Sequence, residues 1–199
     1  MMGPSAGRSD GRRPPLVEGT GPCQSRTMFV TNHVLSGVLI GQVLADRPAA
    51  AAAFGAGVAS HLALDAVLHW GCDLEVPGGP ERFLRAARWD GLLGLGAMAV
   101  ATAVVDRRTR LATVAAMVGA VVLDLDKPMG HFFGVNPFPE VVNRLHRRVQ
   151  DESPRGMPNE IAYGIAFATA GAIATTIARR RLRSRRVAGD LPASPARLP

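Results

Sequence analysis

GVASHLALDAVLHW, residues Gly57 to Trp70, decides how the rest of the chain is read. Its only ionisable residues are His61, Asp65 and His69, which are spaced four apart. At about 100° per residue, a step of four drifts by only about 40°, so on one helix the three side chains stack along a single stripe. Two imidazoles and a carboxylate on an otherwise Ala, Val, Leu and Gly helix need a reason to be there.

Working outward, apolar blocks recur with charged punctuation at every junction. Met28 to Ala45 is the first, and it holds Gly37-xxx-Gly41, a small-residue pair that permits close helix contact. Ala49 to Trp70 is the second, entered through Pro48. Gly91 to Val105 is the third, after a Pro77-Gly78-Gly79-Pro80 turn and a short amphipathic stretch, Glu81 to Arg88. Leu111 to Leu123 is the fourth and Ile161 to Ala178 the fifth. Between the last two lies Glu140 to Gln150, EVVNRLHRRVQ, whose Val141, Leu145 and Val149 predict an amphipathic helix lying at an interface. The expected architecture is all-α: a polytopic transmembrane bundle of about five spans, in a plasma (inner) membrane.

Composition agrees with that expectation. The 199 residues are 47% hydrophobic but only 5% aromatic. Small-residue helices of this kind suit close packing in a bilayer. The mean hydropathy of +0.12 and the short third and fourth blocks keep a soluble helical bundle as the competing architecture. Two isolated cysteines, Cys23 and Cys72, make neither a disulfide framework nor a zinc-finger spacing.

The ends differ from the middle. Residues 1–27 are rich in Gly, Pro, Ser and Arg and lack apolar periodicity, which predicts a disordered tail. A translation start at Met28 is the alternative. Residues 28–178 form the membrane domain, and 179–199 a basic disordered tail. The net charge of +7 is concentrated in the run Arg179 to Arg186. That run reads as a cytoplasmic anchor touching anionic headgroups of the lipid bilayer; no nucleic-acid partner is expected.

In an up-and-down bundle, the start of the first segment, the end of the second, the start of the third, the end of the fourth and the start of the fifth share one side. All five histidines fall on or just inside that side, with Asp65, Asp90, Asp124, Asp126 and Glu160. Ionisable groups in an apolar span are costly and face a bundle interior or a wet cavity. Histidine with carboxylate is a ligand set for Zn, Mn or Fe. His33, His61, Asp65 and Asp124 are the best-placed candidates, and His69, Asp126 and His146 follow. Asp124 and Asp126 can serve one site only if their helix ends there.

TNHVLSGVLIG, ASHLALDAVLHWG and VVLDLDKPMGHFFGVNPFPEVVNRLHRRVQDESPRGMPNE resemble a group of actinobacterial integral membrane proteins, over most of Met28 to Ala178. More distantly, the early His, the SHxxxDxxxH helix and the later Asp-x-Asp are similar to the membrane-bound metal-dependent hydrolase family. That resemblance implies metal ligation by His33, His61, Asp65, Asp124 and Asp126. The chain departs from the family pattern at Leu123 and Leu68, where prolines are usual. Two functions follow as expectations: a metal-dependent hydrolase with a His/Asp site at one membrane face, or a non-enzymatic membrane protein whose cluster is structural or conducts protons or ions.

Overall fold

Short, apolar, small-residue segments joined by charged turns build a helical molecule. The computed structural model describes residues 29–44, 50–71 and 77–189. Its helices are α1 (Val30–Val43), α2 (Ala50–Asp65), α3 (Gly79–Val104), α4 (Arg107–Val121), α5 (Asp126–Phe133), α6 (Glu140–Val149) and α7 (Met157–Gly189). The only extended pairing among the described residues joins β1 (His69–Trp70) to β2 (Glu152–Ser153) in parallel.

α4 is the central element, packed along both α1 and α2; α1 also packs on α3 and α7. Glycine sets the spacing. A Cβ at Gly37 on α1 would lie 2.6 Å from the Met117 Cα, and one at Gly57 on α2 would strike the Ala116 carbonyl. With no side chain at these points the backbones come within contact of α4, as the Gly37-Gly41 spacing predicts. Val34, Ala53, Ala112, Ala116 and Met117 fill the space between them. Polar contacts also cross this core: the Gln42 amide donates to the Thr113 hydroxyl at 2.7 Å and to the Thr109 hydroxyl at 3.3 Å, and the Ser60 hydroxyl donates to that of Ser36 at 3.1 Å.

The first turn of α1 has no side-chain cap of its own. Two carboxylates from other helices take its backbone N–H groups instead. Asp90 of α3 accepts from Val30 N at 2.6 Å and Thr31 N at 3.1 Å. Glu160 of α7 accepts from Phe29 N at 3.3 Å and from the Asn32 amide at 2.6 Å. These bonds satisfy otherwise orphaned donors and place negative charge at the positive end of the helix. Asp90, expected among the ionisable groups of the shared side, lies inside α3 and caps α1.

Several boundaries differ from expectation. α2 ends at Asp65, because the Asp65 carbonyl accepts from Asp151 N and the chain then turns into β1. His69 is therefore off the helical stripe of His61 and Asp65. The amphipathic stretch 81–88 is continuous with the third segment, giving one helix of 26 residues. α4 stops at Val121, and a 3₁₀ turn, Val122–Leu125, leads into α5. α7 runs on through the arginine run, so a disordered tail does not begin at Arg179. The expected tail at 1–27, and residues 190–199 of the one expected at 179–199, lie outside the described residues.

Five spans are not what helix length alone provides. α1, α2 and α4 have 14, 16 and 15 residues. At 1.5 Å per residue they fall short of a hydrocarbon core about 30 Å thick. Among the described residues, one helix, Pro154–Arg185, is long and apolar enough to cross a membrane.

Candidate metal centre

The lower ends of α1, α2 and α4 meet where their ionisable groups lie. His33 sits one turn into α1, below the caps supplied by Asp90 and Glu160. His61 and Asp65 are one turn apart on α2. Asp124 comes from the 3₁₀ turn after α4, and His146 from α6. His33, His61 and Asp65 are fully buried, and Asp124 and His146 are nearly so.

Asp65 is the hub. Its Oδ1 lies 3.3 Å from His33 Nε2, and its Oδ2 lies 3.3 Å from His61 Nε2 and 2.8 Å from His146 Nε2. The His61 and His146 Nε2 atoms are 3.0 Å apart. Asp124 Oδ2 is 3.9 Å from His33 Nε2 and 4.0 Å from His61 Nδ1. The His33 and His61 rings stack with centroids 4.1 Å apart. Gln150, one turn beyond His146, places its amide nitrogen 3.3 Å from Asp65 Oδ2.

His61 is oriented from behind. Its Nδ1 lies 2.7 Å from the Ala120 carbonyl, which can only accept, so Nδ1 carries the proton. In the neutral ring the Nε2 lone pair then points into the cluster. Metal-ligating histidines are held in this way by a carbonyl or carboxylate behind the ring.

A divalent cation fits this donor set. Two groups of three, His33–His61–Asp124 and His61–Asp65–His146, bring ligand atoms within 4.8 Å of one another. Donors arranged tetrahedrally on one Zn²⁺ at about 2.0–2.2 Å lie about 3.4 Å apart, and the donor atoms of His61, Asp65 and His146 are 2.8–3.3 Å from one another. Both His33 nitrogens, Asp65 Oδ1 and Asp124 Oδ2 are buried with no hydrogen-bond partner. Buried lone pairs without a donor are costly. Here several face one another across a space that a cation would bind.

The remaining candidates do not join the cluster. Asp126 opens α5 and turns to Lys127, 4.0 Å away. Two residues past Asp124, across the change from 3₁₀ to α geometry, it points elsewhere. His69 lies 3.5 Å from Glu152 Oε1, and its Nδ1 donates to the Val67 carbonyl at 2.8 Å. His131 is exposed on α5, edge-on to Phe132. So three of the five histidines meet, although all five were expected on one face.

His146 was ranked behind His33 and His61 because its helix reads as surface. The pattern is reversed in place. Asn143 and His146 face inward, while Val141 and Leu145 are 65% and 52% exposed. One sequence signal for this exists: Asn143, His146 and Gln150 make a polar stripe at helical spacing opposite the valines.

Lys127, the chain's only lysine, donates to Asp124 Oδ1 at 2.6 Å while remaining partly open to the surface. Burial disfavours its charge, but the Asp124 and Asp126 carboxylates outweigh that and hold its pKa above the ordinary lysine value. It is a fixed positive charge at the edge of the cluster.

The chain matches no protein-family model, no curated protein and no solved structure.

Proposed function

We propose that the protein is a multi-pass membrane protein that binds one divalent metal ion through His33, His61, Asp65 and His146, with Asp124 beside them, and uses it for hydrolysis. The observation that carries this reading is the set of unpartnered buried donors around Asp65. Similarity of the early His, the His/Asp helix and the later Asp to the membrane-bound metal-dependent hydrolase family supports it.

When bound, such an ion supplies Lewis acidity toward a carbonyl or phosphoryl oxygen. The protein's own residues divide the other tasks. Asp65 and Gln150 hold the His146 ring, and Ala120 holds the His61 ring. Lys127 presents an ammonium to an anionic oxygen entering beside Asp124. The fully buried His33 and His61 keep bulk water from that side.

Membrane integration is supported by what faces outward. Trp89, Leu92, Leu93 and Leu95 on α3 and Ile161, Ile165, Ile173 and Ile177 on α7 are all exposed. Helices that expose this much apolar surface need a partner such as lipid. α6 fits the interface: its valine and leucine point away from the protein, and Arg144 and Arg148 flank them. The substrate would then be lipid-linked or close to the membrane. The C-terminal end of α7 would be cytoplasmic, since its arginines favour the inner side.

Hydrogen bonding supports a second, non-enzymatic reading. His146 Nε2 lies 3.0 Å from His61 Nε2 and 2.8 Å from Asp65 Oδ2. One proton on that nitrogen can be shared among the three side chains without a metal.

Metal content separates the two. Purified wild type should carry about one Zn, Mn or Fe per chain. His61→Ala and His146→Ala should each lose it, while His131→Ala should retain it. Wild type free of all three metals, and unable to take them up, would contradict the metal reading and leave the shared proton.

A further inference from the structure

At the other end of α4 from the metal centre, about 20 Å away along the helix axis, the α3–α4 corner and the last turns of α7 border an open cavity of about 390 Å³. Arg107, Arg110, Arg179 and Arg183 line it, with Asp106 as the lone acidic residue. The corner contributes two guanidiniums and α7 the other two. The wall is built, because Leu182, between the two α7 arginines, is buried against the corner.

Four like charges around one cavity repel unless something neutralises them. None of the four forms an ion pair with a described carboxylate, and Asp106 supplies at most one negative charge. The Arg110 Nε is buried and has no hydrogen-bond partner. Guanidinium forks match phosphate oxygens in pairs. Basic pockets between helices at a membrane face suit acidic headgroups.

We infer that this cavity binds a phosphate group, presented by an acidic phospholipid of the surrounding bilayer. The four arginines lining the cavity would receive the phosphate, and the acyl chains would run along the exposed apolar faces of α3 and α7. The lipid source rests on the membrane reading above; the cavity's preference for phosphate does not. Arg179 and Arg183 lie one turn apart on α7 and line the same cavity.

The test uses the full chain in neutral detergent, with phosphatidylglycerol and phosphatidylcholine added in equal amounts and retention read by native mass spectrometry. One phosphatidylglycerol should be retained in preference. Arg107 and Arg183 are both exposed, so the double variant Arg107→Gln/Arg183→Gln should fold. Losing two arginines near an acidic lipid should weaken retention about 30-fold. The pair Arg85→Gln/Arg88→Gln, at the far end of α3, should leave it unchanged. Thermal unfolding gives the second readout: phosphatidylglycerol should raise the wild-type midpoint, and inorganic phosphate at the same concentration should not. Equal protection by inorganic phosphate would overturn the lipid source. Equal retention by wild type and the Arg107/Arg183 variant, or no preference over phosphatidylcholine, would overturn the site. Metal content measured on the same samples should not change with these variants, so the two sites fail or stand separately.

Discussion

Of the candidate residues, Asp65 touches the most others: its Oδ2 lies 2.8 Å from His146 Nε2 and 3.3 Å from His61 Nε2, while its Oδ1 faces His33 Nε2 at 3.3 Å without a hydrogen bond. Its pairing with His61 was legible in the sequence, since a step of four on an apolar helix admits no other arrangement. His69 was not so legible. It looks like the next step of the same stripe, but Asp65 is the last helical residue, and backbone bonds to Asp151 pull the chain into an extended pair. His69 instead faces Glu152. Burial opposes its charge, but the Glu152 carboxylate and the Val67 carbonyl outweigh that and raise its pKa above the ordinary histidine value. A group whose folded pKa is raised binds its proton more tightly in the native state. Its stabilising contribution is therefore complete below about pH 6.5, the unfolded value, and is lost as pH rises through the folded value. Thermal midpoints of wild type should fall across that rise. His69→Gln should flatten this part of the profile, and an unchanged slope would show that the pair does not titrate on folding.

At the scale of the element, α1 is the helix most dependent on others. It carries His33, yet its first turn is held by Asp90 and Glu160 from helices far along the chain. Their place on the shared face was readable, but their target was not, because nothing local in either segment points to the start of α1. Replacing a capping carboxylate by alanine costs about 1–2 kcal/mol. Asp90→Ala should destabilise by that amount, lower the metal affinity by loosening His33, and be largely rescued by Asp90→Asn, which keeps an acceptor oxygen. Chemical denaturation together with a cobalt titration checks both effects. Full metal affinity in the alanine variant would mean that α1 is positioned by its packing on α4 alone. α6 teaches the complementary lesson. Its amphipathic pattern was evident, but a stripe of valines does not say whether protein or lipid will cover it. The pocket formed by Asp65 and His61 draws in the polar side, and the apolar side is left outward.

At the scale of the whole molecule, one helix face of α4 organises everything. Gly37 and Gly57 let α1 and α2 approach it, and that approach brings His33, His61 and Asp65 to the 3₁₀ turn bearing Asp124. The mostly helical fold and the gathering of His33, His61, Asp65 and Asp124 at one end follow from segment order and short turns, and both were legible. The end of the fourth segment was read within two residues, at Leu123, but the 3₁₀ turn and the start of α5 that separate Asp124 from Asp126 were not. The arginines at the opposite end read as a tail, because a charge run does not reveal that Leu182 within it is buried. The two ends of the bundle thus carry opposite chemistry: histidines and carboxylates at one, guanidiniums at the other.

The most direct test of the central claim is a cobalt titration of metal-stripped protein, read by visible absorption. Wild type should develop the d–d bands of nitrogen- and oxygen-ligated cobalt and saturate at about one equivalent, and Asp65→Ala should develop none. No such bands in wild type, or the same bands at the same affinity in Asp65→Ala, would contradict the claim that the buried cluster around Asp65 is a metal centre.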